Sequence, residues 1–276
     1  MTTALAAALA AIALWSTLAT LGHALAHLPP FLLTGIALLI GCVPGIARWQ
    51  LWRVPFTTFA LGVGGLFGFH LLLFVALRLA PPVEANLVNY LWPLLIVVLT
   101  PVVLPGWKLK PAHVVAALMG LVGASLAIGT APGPRDAGAM LGFGLAAGSA
   151  LVWAGYSLLV RRVPAFSSWA IGAFALASSV LALACHALFE APAVFRQHDG
   201  WKLAALGLGP MGAAFYLWDF AMKRGDPRII GVIAYATPVA STLLLLLATG
   251  RPLTGAHALA AALIVGSAVM AMRIAR

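Results

Sequence analysis

The stretch Asn86-Leu-Val-Asn-Tyr-Leu-Trp-Pro93 gathers two amides, a phenol, an indole and a proline within eight residues. On a helix, Asn86, Asn89, Tyr90 and Pro93 fall at i, i+3, i+4 and i+7 and share one face. These side chains donate and accept hydrogen bonds without carrying charge. Such chemistry suits holding a polar solute. The stretch lies inside an apolar segment, Pro82 to Leu104, where a polar face is costly against lipid and fits the wall of a cavity within protein. A second proline-broken segment, Tyr235-Ala-Thr-Pro238, holds the matching place later in the chain.

Bond-breaking chemistry finds little support. There is no phosphate-binding glycine loop, no paired catalytic acids, no Ser/His/Asp arrangement and no metal-spaced Cys/His cluster. No catalytic residue, metal or cofactor is therefore expected. Cys42 and Cys185 sit in apolar segments and read as small core residues. His70 is the histidine placed farthest from any loop, and it fits either a satisfied buried ring or a substrate or proton role. Asp219 stands four residues before Lys223, the spacing of a local ion pair. No carboxylate falls in the middle of an apolar segment, so a proton-coupled carrier would have to use His70. Otherwise the chain moves solute downhill.

The elements that position these residues are set by composition. The chain has 276 residues, 63% hydrophobic and 8% charged. Soluble domains carry roughly 25% charged residues, so this chain lacks the polar surface to cover a water-exposed globule. The class is an all-α integral membrane protein. The net charge of +10 does not signal nucleic acid, because the basic residues lie in short loops between apolar runs. Cutting at prolines, charges and glycine-rich turns gives ten segments near the ~20 residues a bilayer needs: 4–25, 30–47, 56–77, 83–104, 112–130, 137–160, 168–189, 203–222, 228–249 and 254–272. With the amino terminus inside, eleven of the sixteen lysines and arginines fall on the inner side. Both termini are then cytoplasmic, in an inner (plasma) membrane.

The chain also repeats. An offset of 145 residues lays Tyr90-x-x-Pro93 on Tyr235-x-x-Pro238, Arg78 on Lys223 and Pro82 on Pro227. Five segments per half, an odd number, make the two halves cross the membrane in opposite senses. The expectation is ten transmembrane helices as two inverted five-helix repeats, residues 1–134 and 135–276, with Pro93 and Pro238 as hinges of an alternating-access carrier. The pairs Gly41/Gly45, Gly64/Gly68 and Gly144/Gly148 are expected to allow close helix contact.

Over its full length the chain resembles the EamA-like branch of the drug/metabolite transporter superfamily. The run Leu145–Arg162 (LAAGSALVWAGYSLLVRR) is similar to the start of that family's second repeat, and NYLWP is similar to the aromatic amino acid exporters of the YddG type. Many members carry an arginine in the second helix, which Phe31–Gly45 lacks. The resemblance implies a central cavity lined by helices 3, 4, 8 and 9 with 1 and 6. Projected onto this sequence, the candidate substrate-binding residues are His70, Phe74, Asn86, Asn89, Tyr90, Trp92, Trp153, Tyr156, Phe215 and Tyr235. Phe67 and Trp15 are offered on the same helices, and Trp218 fits a wall or a membrane-interface belt. The implied function is export of small amphiphilic solutes, aromatic and other neutral amino acids foremost. The alternative is a broad drug or cation exporter of the same superfamily. The expected partners are an amino acid substrate and the lipid bilayer, with no nucleic acid, and the reading is compatible with a monomer.

Overall fold

The structure is a computed structural model that describes residues 2–128, 137–250 and 255–274. The boundary expected at residues 134/135 lies outside them. So do Arg135, Arg251 and Arg276, which entered the orientation count, and Asp136.

Proline and glycine set the breaks in an otherwise continuous helical chain. The first rod is α1 (Thr2–Ser16) and α2 (Leu18–Ala24). Pro30 then opens α3 (Pro30–Ile46) from a position where its missing N–H costs nothing. Next come α4 (Phe56–Val63), a π-helical turn at Gly64–Gly68 and α5 (Phe69–Leu79). Two half-helices come after, α6 (Pro82–Asn89) and α7 (Trp92–Val103), broken at Tyr90 and Leu91. α8 (Pro111–Ile128), α9 (Ala137–Leu159) and α10 (Ile171–Phe189) lead to α11 (Asp199–Leu208). A second π turn, Gly209–Ala213, joins α11 to α12 (Ala214–Arg224). A second broken helix is α13 (Pro227–Ala234) and α14 (Ala236–Thr249). Gly250, at φ +68°, closes α14 in the left-handed conformation. α15 (Gly255–Ile274) ends the described chain. No strand occurs among the described residues.

Element boundaries recur at one offset. The π turns start at Gly64 and at Gly209, 145 residues on. At the same spacing α5 meets α12, and α6 meets α13, at both ends. The most extensive packing pairs α3 with α10, α8 with α15, α5 with α9 and α1 with α12.

Among the described residues, six helices are long and apolar enough to cross a membrane: Thr3–Ala24, Phe56–Leu79, Glu84–Val103, Ala137–Leu159, Ser168–Phe189 and Pro227–Ala248. Shorter apolar helices cover Pro30–Ile46, Pro111–Leu126 and Ala258–Ile274. Large apolar side chains such as Phe56, Val102, Val180, Leu188, Leu247 and Val265 are exposed on the outside. An apolar outer face of this kind matches lipid and not water.

Close approach uses glycine selectively. A Cβ on Gly41 would stand 2.5 Å from the Met211 carbonyl, so α3 lies directly on the second π turn. Gly45 is equally crowded, by the Tyr216 hydroxyl at 2.7 Å. The other two glycine pairs differ from expectation. Gly64 and Gly144 face open space, and Gly68 and Gly148 make only ordinary contacts. Gly64 and Gly68 instead bound a π turn.

Candidate functional site

A cavity of about 480 Å³ lies between α1, α2, α3, α5, α6, α7, α9, α11, α12 and α14. That volume falls within the roughly 300–1,000 Å³ of small-molecule sites. At one end are Trp15, Trp92, Trp153 and Phe215. From there the lining runs past His70, Phe74, Asn86, Asn89 and Tyr90 to Gly22, Leu33, Leu77 and Pro82. This far end is beside Arg78, which pairs with Glu190 at 2.6 Å.

Three indoles and a phenyl ring make the floor. Trp15 contacts Trp92 (6.4 Å between centroids), Trp153 (5.8 Å), Phe215 (6.1 Å) and Trp218 (5.1 Å). All four contacts are edge-on or tilted, which suits the ring quadrupoles. Trp15 is fixed by donation from its Nε1 to the Pro210 carbonyl at 3.0 Å. Trp218 is fully buried beneath the floor, and its Nε1 donates to the Ser157 hydroxyl at 3.0 Å. It is a core residue and not part of an interface belt.

The two π turns serve the cavity directly. Their irregular backbone offers carbonyls to side chains. The first gives the Leu66 carbonyl to His70 Nδ1 at 2.6 Å. The second gives the Pro210 carbonyl to Trp15. The extra residue in the first turn also rotates α5 about its axis. Phe69, His70, Leu73, Phe74 and Leu77 therefore face the cavity, and Phe67 does not.

The polar wall carries no full charge. Thr34, His70, Asn86, Asn89, Tyr90, Thr237 and Ser241 supply donors and acceptors, and no Asp, Glu, Lys or Arg lines the cavity among the described residues. Asn89 Oδ1 accepts from the Ser149 hydroxyl at 2.7 Å, leaving its amide N–H₂ as the donor end. The Thr237 hydroxyl, nearly buried, has no hydrogen-bond partner among the described residues.

The sequence placed eight of its ten candidates on this cavity: His70, Phe74, Asn86, Asn89, Tyr90, Trp92, Trp153 and Phe215. Tyr156 and Tyr235 lie elsewhere. Tyr156 is under the floor, 5.4 Å from Trp153 and pressed against Gly65. Tyr235 is fully buried against Gly120, in a cluster with Ala124, Val239, Ala260 and Ile264. Pro93 and Pro238 sit in the first turn after each helix break. Sequence reasoning missed Thr34, Phe69, Thr237 and Ser241. Thr237 and Ser241 are i, i+4 polar residues in an apolar helix, a signal that could have found them.

Charged residues gather at the two ends. At the Arg78 end, Glu190 also accepts from the Phe31 and Leu32 amides, and His186 pairs with it at 3.0 Å. Asp199 accepts from the Arg196 amide (2.7 Å) and from His27 Nε2 (2.8 Å). The Arg196 amide, first, and then His27 hold the Asp199 carboxyl below the usual range, against the opposing effect of burial. Asp199 is the buried first residue of α11. At the other end, Trp107 is flanked by Arg161 (5.4 Å) and Arg228 (5.0 Å). Arg161 donates to the Met222 and Gly225 carbonyls. Asp219 pairs with Lys223 at 2.6 Å, as its spacing predicts.

Helices with a lipid-matching exterior around a neutral, aromatic-floored chamber define a multi-pass membrane transporter and not an enzyme. The comparisons with known proteins agree. The chain belongs to the EamA-like transporter family, whose sequence model matches residues 1–129 and 140–273. It is 46% identical over 276 residues to the aromatic amino acid exporter YddG of Ancylobacter novellus (strain ATCC 8093), covering 96% of each chain. A solved crystal structure of a protein 43% identical to it matches with a TM-score of 0.93, covering 100% of this chain and 97% of that one.

Proposed function

We propose that the protein exports aromatic and other neutral amino acids across the inner membrane by alternating access around this cavity. The observation that carries the reading is the cavity wall itself, rings at one end and neutral amides, hydroxyls and an imidazole along the side. Indole and phenyl side chains find edge and face contacts there, and the zwitterionic head finds uncharged donors and acceptors. The export activity in the name of the 46% identical relative supports the same reading. A cation exporter is disfavoured by the lack of a lining carboxylate. The screen that decides is uptake and exchange of amino acids and cationic dyes in proteoliposomes, with and without a pH gradient. Exchange of tryptophan and phenylalanine is expected. Dye transport without amino acid exchange would overturn the proposal.

The architecture proposed is ten spans in two inverted repeats, residues 1–134 and 135–276, rocking about the breaks before Pro93 and Pro238. The recurrence of boundaries at 145 residues supports this, as does the packing. α3 and α10 pair with each other, as do α8 and α15, while α5–α9 and α12–α1 exchange when the halves are swapped. Both termini are then cytoplasmic, and the cavity opens outward beside Arg78 and Glu190. Cysteine labelling in intact cells tests the orientation at two exposed positions, Gln197 and Arg162. Gln197→Cys should react and Arg162→Cys should not. External labelling of Arg162→Cys rules the topology out.

A further inference from the structure

We propose that Asp219 and Lys223, with the Tyr156 hydroxyl, form a second binding site, for the zwitterionic head of an amino acid, on the far side of the aromatic floor. The inference rests on the transport function proposed above and adds how the substrate is met from the other end.

The helix face leads there. Met211 and Phe215 line the cavity, and Asp219 comes one turn after Phe215 on the same stripe. Trp15, Trp153, Phe215 and Trp218 stand between the cavity and this carboxylate, with centroid separations from 5.1 to 6.4 Å. Behind them Asp219 is 1% exposed. Its Oδ2 accepts from Lys223 Nζ at 2.6 Å, while Oδ1 has no hydrogen-bond partner among the described residues. The Ser168 hydroxyl faces the carboxylate but closes no hydrogen bond to Oδ1. Tyr156, 3% exposed and within electrostatic reach of Asp219, also has an unpartnered hydroxyl. Lys223 Nζ donates to the Phe166 carbonyl at 3.1 Å and rests 3.2 Å from the centre of the Phe166 ring.

As a purely structural element this arrangement is poor. A buried ion pair recovers its desolvation cost only when the remaining polar atoms are satisfied, and here a carboxylate oxygen and a phenol are not. Ionisable residues kept within membrane helices mark solute pathways. An amino acid offers an ammonium and a carboxylate one carbon apart. When the floor opens toward this end, Asp219 receives the ammonium, Lys223 the carboxylate, and the Tyr156 hydroxyl donates to the carboxylate. One internal ion pair is exchanged for two with the substrate. The outer chamber reads the ring with neutral groups, and this inner site reads the two head charges.

The test is competition against labelled tryptophan in proteoliposomes, from each side, by unlabelled tryptophan, tryptamine and indole-3-propionate. From the Lys223 side tryptophan should compete about tenfold better than either analogue, the equivalent of about 1.4 kcal/mol, because each analogue lacks one head charge. From the cavity side the three should differ much less. Asp219→Asn and Lys223→Gln should abolish the inner discrimination and leave the outer unchanged, with Asp219→Glu restoring it. Should those variants fail to fold, Tyr156→Phe removes only a hydroxyl and should weaken tryptophan competition from the Lys223 side alone. Equal discrimination from both sides in the wild type, or its survival in the variants, overturns the inference. Absence of any amino acid transport in the wild type overturns the functional reading and this one with it.

Discussion

His70 Nδ1 lies 2.6 Å from the carbonyl of Leu66, one turn earlier in the same rod. A carbonyl only accepts, so the Nδ1 proton is fixed there and a neutral ring has its Nε2 left as an acceptor on the cavity side. His70→Gln keeps an acceptor near that position, and His70→Leu does not. The leucine variant should raise KM for tryptophan about tenfold, since one hydrogen bond is worth about 1–1.5 kcal/mol and about 1.4 kcal/mol is a factor of ten. The glutamine variant should stay near wild type. Proteoliposome exchange kinetics check both, and equal loss in the two variants would show that the ring only packs.

Trp92 and Trp153 face the cavity from opposite halves of the chain, each within 6.4 Å of Trp15. A ring contact contributes roughly 0.5–1.5 kcal/mol beyond burial. Trp92→Ala or Trp153→Ala should therefore lower kcat/KM for phenylalanine and tryptophan more than for threonine, while Asn89→Leu lowers all three together. Identical losses for every substrate in the tryptophan variants would make these rings gates or packing elements.

Pro93 and Pro238 occupy matching places, each in the first turn after a helix break. Each proline lacks the N–H that would tie the two half-helices together. Pro93→Ala and Pro238→Ala restore that donor and stiffen the joint. Turnover should slow in both variants by a larger factor than substrate affinity falls. Proportional loss of rate and affinity counts against a hinge.

Asp199 ties α11 to the His27 loop. Its folded pKa lies below the ordinary 3.8. A depressed carboxylate contributes stability that is complete above the unfolded value and disappears as pH falls through the folded value. Thermal unfolding in detergent should show wild type above Asp199→Asn from neutral pH to about 5. Below about pH 3.8 the margin should close. A margin unchanged at pH 3 would mean the carboxylate charge is not what the fold uses.

Periodicity and composition alone were enough to read the membrane class, the polar face of Asn86, Asn89 and Tyr90, and the Asp219–Lys223 pair. Each depends on residues within one or two turns of a helix, where spacing fixes the geometry. The sequence could not say which neighbour a face meets. Tyr90 and Tyr235 hold the same place in the two halves, yet one lines the cavity and the other is sealed against Gly120. Nor could it show the π turns, whose extra residue turns Phe69 toward the cavity and Phe67 away. The convergence of Trp15, Trp92, Trp153 and Phe215 on one floor joins four helices far apart in the chain. Helical spacing sets a side chain's direction about its own axis, and only the packing of one helix on another decides what stands opposite.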